Sequence, residues 1–168
     1  MIGSFYRSRN YLTPEAILYL YKSQIRPKMD YCSHIWAGSP KSTLSVLDRL
    51  QNRIRSLVGD QLFSNLQLGH RRDVASLSLL YRYVNGKCSA ELKGLVPPLW
   101  EFVRNTRYSV SCNNHTYLLR IPLEKKKFHS NSFFHRTASM WNTLPPESFP
   151  VIYDLDRFKL NINKCLSK

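Results

Sequence analysis

The sequence predicts a mainly α fold, a small helical bundle followed by one β-hairpin and further helices. Three observations carry that expectation. Apolar residues recur every three or four positions through most of the chain, as the buried stripe of a helix requires. Residues that start or stop helices stand at the ends of those stripes. Strict apolar–polar alternation, the mark of a half-buried strand, occurs only between residues 108 and 121. At 168 residues the chain can form a core, and its 43% apolar content separates it from disordered sequences.

Thr13-Pro14-Glu15 marks the first helix. Thr13 suits the capping position, Pro14 the first helical position, and Glu15 the positive end of the helix dipole. Ile17, Leu18, Leu20, Tyr21 and Ile25 follow at helical spacing. Pro27 lacks a backbone N–H and disfavours helix at Arg26, so a kink or break is expected there. Met29, Cys32 and Ile35 or Trp36 then resume an apolar stripe.

The clearest helix covers residues 43–58, with Leu44, Leu47, Leu50, Ile54 and Leu57 facing a core and Gly59 ending the run. Another is expected from Arg71 to Asn85, carrying Val74, Leu77, Leu80, Tyr81 and Val84, with Gly86 beyond its end. Ser89 should cap a short helix that Val96-Pro97-Pro98 terminates. Tyr108, Val110 and Cys112, the Asn113-Asn114 turn, then Tyr117, Leu119 and Ile121 read as the hairpin. Phe133, Phe134, Thr137, Ala138 and Trp141 form a helical face ended by Leu144-Pro145-Pro146. Asp154 should cap a last helix bearing Leu155, Phe158, Ile162 and Leu166. Residues 1–86 and 87–168 are expected as two regions packed into one body.

Twenty-five Lys and Arg against 11 Asp and Glu leave +14, a charge that attracts polyanions. Nucleic acid is the first candidate and an acidic membrane the second. The imbalance is local as well, since residues 104–136 hold seven basic residues and one acid, Glu124. Apolar runs fall far short of the roughly 20 residues needed to span a bilayer, so no membrane partner is expected. Cys32, Cys88, Cys112 and Cys165 show no zinc-ligand spacing and follow no signal peptide, which favours reduced thiols in the nucleus or cytoplasm.

The residue clusters that suggest chemistry have plainer readings. Cys32 and His34 would point away from each other on a helix, and Cys32 falls on an apolar stripe, so core or core edge is preferred to metal binding. Asp154 and Asp156 suit the first turn of a helix better than a divalent-metal site. His115, His129 and His135 lack spaced partners. No phosphate-binding loop, nucleophile elbow or metalloprotease motif occurs, and no cofactor is expected. The basic residues are more informative. Lys22 and Arg26, Arg49 and Arg53, and Arg71 and Arg72 recur on successive helices, and Lys125, Lys126 and Lys127 form an exposed run. A solvated face would account for them, but so would a surface that tracks phosphates.

Five blocks occur in order: "LYKSQIRPKMDYCSHIWAGSP", "LDRLQNRIRSLVGD", "LQLGHRRDVASLSLLYRYVNGKCSAEL", "NTRYS" and "SFFHRTASMWNTLPPESFP". Together they resemble the C-terminal portion of reverse transcriptases of jockey-like non-LTR retrotransposons, over roughly residues 3–166. The resemblance implies an RNA-directed DNA polymerase with fingers, palm and thumb, and an endonuclease upstream. The part resembled lies after the palm, so residues 1–86 would be thumb-like and residues 87–168 a C-terminal extension. The family's Phe/Tyr-x-Asp-Asp motif does not occur in the sequence, and Asp30 in "KMDYC" has no adjoining Asp. The chain is therefore expected to be the tail of a truncated element copy or a gene-model fragment, inactive alone. It would bind RNA or an RNA–DNA hybrid, with the palm as a further partner. Two alternatives are a truncated reading of an active reverse transcriptase and a domesticated protein-interaction module presenting Tyr11, Tyr19 and Trp36.

Overall fold

Helices dominate the structure. It is a computed structural model that describes residues 3, 7–60, 62–63, 68–100, 117–121 and 127–166. Helix α1 (Pro14–Leu20) begins as its sequence requires: the Thr13 hydroxyl accepts the Ala16 N–H at 3.3 Å. The chain does not break at Pro27. It widens into a π turn (Tyr21–Ile25) and continues as α2 (Arg26–Asp30). The Arg26 N–H reaches back five residues to the Tyr21 carbonyl, and Pro27, placed in the first turn of α2, has no donor to lose. The wide turn also keeps one face buried. Ile17, Tyr21, Ile25 and Met29 all lie in the core at four-residue intervals. An unbroken α-helix would carry Met29 roughly 120° away from Ile17.

After Asp30 the expected stripe ends. Cys32 adopts a left-handed backbone (φ 50°, ψ 27°), which interrupts the helix before α3 (Ser33–Trp36). Met29 is buried, Cys32 half-buried and Ile35 exposed, because the three do not share one helix. The Trp36 indole N–H donates to the Tyr31 carbonyl at 2.9 Å and ties the two sides of the interruption together.

Helix α4 (Lys41–Val58) ends at Gly59, whose φ of 88° suits glycine. Its buried line is Gln51, Ile54 and Val58, while Leu47, Leu50 and Leu57 pack at the edge of the core. Gln51 is polar but employed: its Oε1 accepts the Leu68 N–H at 3.2 Å. That bond satisfies a donor at the start of α5 (Leu68–Val84), which therefore begins three residues before the expected Arg71. At the other end Lys87 N–H bonds to the Arg82 carbonyl and Gly86 N–H to that of Tyr83, with Gly86 at φ 71°. This is a Schellman closure.

The chain divides into two units between Arg72 and Asp73, inside α5, rather than after residue 86. The first turn of α5 explains the earlier boundary, since Leu68 belongs with Ile17, Tyr21, Ile25, Met29, Ile54, Val58 and Phe63. The core of the second unit takes Leu77, Leu80 and Tyr81 from the later turns.

In the second unit, Ser89 holds the N-cap conformation before α6 (Ala90–Lys93), although its hydroxyl makes no capping bond. Short α7 (Lys127–Ser130) precedes α8 (Phe133–Asn142), a 3-10 turn (Pro146–Ser148) and α9 (Leu155–Leu166). Tyr81 stacks on Phe158 at 4.2 Å, and Trp141 meets Phe149 edge-on at 4.8 Å. Asp154 caps α9, its Oδ1 accepting the N–H groups of Asp156 and Arg157. Among the described residues there is no strand. Of the expected hairpin, the limb Tyr108–Cys112 and the turn Asn113-Asn114 lie outside the described residues. Leu119 instead forms a single antiparallel bridge with Leu99. Asn142 holds the same residue from the other side, donating to its carbonyl and accepting its N–H, both at 2.9 Å.

Candidate nucleic-acid interface

The basic residues singled out in the sequence separate into three environments. Arg49 and Arg53 stand one turn apart on α4 and are exposed, clear of the buried line at Gln51, Ile54 and Val58. Neither pairs with a carboxylate among the described residues. Lys22, on the π turn, is also exposed. These three can meet a phosphate without first leaving another partner.

Arg26 and Arg71 are differently placed. Both point at one oxygen of Asp30: Arg71 Nη2 hydrogen-bonds Oδ2, and Arg26 Nε lies 3.8 Å from it. The side chains are 27% (Arg26), 28% (Arg71) and 27% (Asp30) exposed, so the cluster is half-buried but reachable. Burial pushes the Asp30 carboxyl above the ordinary carboxylate range, while the positive charges of Arg26 and Arg72 pull it down. Burial likewise raises Tyr21, with Arg26 opposing and Asp30 adding to the rise.

Arg72 is not part of an exposed ridge. Its side chain is 7% exposed, lies 3.6 Å from Asp48 Oδ1 and sits 5.6 Å from the Trp36 ring centroid. Its position on α5 turns it inward, so its charge is neutralised within the unit. Lys127 opens α7, and Lys125 and Lys126 lie outside the described residues.

The acids that organise this surface are what a count of basic residues overlooks. Asp30 follows Arg26 by four positions, a helical ion-pair spacing that the sequence does display. Its contact with Arg71, across 41 residues, has no local signature. The pairing of Asp48 with Arg72 has none either. Between Tyr21, Lys22, Arg26, Gln51 and Arg71 lies a cavity of about 20 Å³, room for about one water and not for a nucleotide. Ligand contact here would be on the surface. Among the described residues no group of three or more metal-ligating side chains occurs, and no helix is long and apolar enough to cross a membrane.

Comparison of the chain with protein-family models, curated proteins and solved structures returned no match in any of the three.

Proposed function

We propose that this chain is a non-catalytic, nucleic-acid-binding portion of a retrotransposon-type reverse transcriptase. It grips RNA or an RNA–DNA hybrid by the phosphate backbone. The observation that carries the reading is the pair Arg49 and Arg53, exposed together on α4 in a chain of net charge +14. The five-block resemblance supports the same reading and supplies the polymerase context. An A-form duplex presents phosphates and shape rather than readable base edges, so contacts of this kind bind with weak sequence preference and strong salt dependence.

The test is binding of two RNA–DNA hybrids of unrelated sequence across a salt series. Similar affinities that fall steeply with salt are expected. No binding at low salt, by folded protein, would remove the reading.

A protein-interaction module is the second reading, and one observation favours it. Tyr11 and Tyr19 are 89% and 72% exposed. Trp36 supports it less, because Arg72 and the Tyr31 carbonyl already engage its indole. Replacing both tyrosines with Ser separates the readings: hybrid binding should survive if phosphate contacts dominate.

A further inference from the structure

We infer that Arg26 and Arg71 form a clamp for one phosphate, and that the Asp30 carboxylate occupies this clamp in the free protein. The inference rests on the polyanion-binding reading above and concerns what limits that binding. Two guanidiniums from elements far apart in sequence converge on a single oxygen, Asp30 Oδ2. That is the arrangement an oxyanion draws from arginines, whose planar forks suit a phosphate as well as a carboxylate.

The donors are not exhausted by this occupant. Each guanidinium carries five N–H groups. Arg71 Nε is buried and makes no hydrogen bond. Asp30 is costly as an occupant, since its carboxyl is half-buried and burial disfavours its charge. Lys22 lines the same small cavity as Arg26 and Arg71, so an arriving backbone meets a third cation at the clamp. A phosphodiester oxygen brings the same unit of negative charge as the carboxylate and can take its place. While Asp30 holds the two arginines, they add little to binding, and the contacts fall to the exposed pair on α4.

The test measures one RNA–DNA hybrid across a salt series with wild type, Asp30→Asn, Asp30→Ser and, as a control, Asp156→Asn. Asp156 is 91% exposed in the second unit and pairs with Lys159, three residues on. Both Asp30 variants should bind more tightly than wild type. Their salt slope should steepen by about 1, the increment for one added phosphate contact. The control should keep the wild-type slope. Adding Arg71→Gln to Asp30→Asn should return the slope to the wild-type value. Wild-type slopes in both Asp30 variants would overturn the inference, as would a gain that persists without Arg71. Loss of the folded state in both variants, read by thermal melting, would also overturn it, because the carboxylate would then be a structural tie. Absence of binding by every protein would instead sink the nucleic-acid reading itself, so the two failures are distinguishable.

Discussion

Cys32 holds a backbone conformation that costs an L-residue roughly 1 kcal/mol, and glycine escapes that cost. Cys32→Gly should therefore match or exceed the wild-type melting temperature, whereas Cys32→Ala keeps the strain and should change it little. A Gly variant clearly less stable than the Ala variant would show that the thiol's packing outweighs the backbone. Asp30 makes a prediction in pH. Its folded value is raised, so its contribution to stability is fully present below the unfolded carboxylate range, near 4, and is lost as pH rises through the folded value. Compared with Asp30→Asn, which does not titrate, wild type should lose stability as pH rises from below the unfolded carboxylate value, about 4, toward neutrality. Melting curves of the two proteins across that range check the sign, and a gap moving the other way means that the arginines outweigh burial.

Elements are where the sequence was most and least legible. The Leu44–Leu57 spacing announces α4, and Gly59 ends it where expected. The true buried line runs through Gln51, because a buried glutamine that caps another helix looks in sequence like a break in the apolar face. Gln51→Ala should leave the Leu68 N–H unsatisfied and cost about 1–3 kcal/mol, read by chemical unfolding. An unchanged midpoint would mean that water replaces the amide. The exposed face of α4 makes the opposite prediction. Arg49→Ala with Arg53→Ala should alter stability by no more than about 0.5 kcal/mol. The same pair should weaken binding to unrelated hybrids by similar factors and lower the salt slope by roughly 1 to 2. Unchanged affinity in the folded double variant would take α4 off the binding surface. The π turn was harder to read. Pro27 announced a disturbance, but the overlooked signal was the four-residue interval of Ile17, Tyr21, Ile25 and Met29, too long for one α-helical face.

For the molecule as a whole, the proposed function carries one chemical expectation. If the chain is the non-catalytic portion proposed above, it should not extend a primer by itself, because it would lack the carboxylates that hold the two metals of phosphoryl transfer. Incorporation of labelled nucleotide above a no-protein control, with contaminating polymerase excluded, would refute this. The mainly α character was legible because helical periodicity is local, and so was the capping of α9 by Asp154. The candidate surface was only partly so. Basic residues are visible in sequence, but whether a distant acid has claimed them is not. Arg49, Arg53 and Arg72 look alike as letters, yet two face solvent and one is enclosed by Asp48 and Trp36.

The wide turn at Tyr21–Ile25 amounts to one spare residue carried inside a helix. Deleting a single residue there would leave a helix that still looks normal by composition and by circular dichroism. The flanks would keep their register, since Ile17 and Met29, then 11 residues apart, would lie only roughly 20° apart on an unbroken α-helix. The cost would fall on Pro27 instead, because inside such a helix a proline ring clashes with the carbonyl four residues before it. The wide turn thus gives a proline a place within a helix without turning the buried face away.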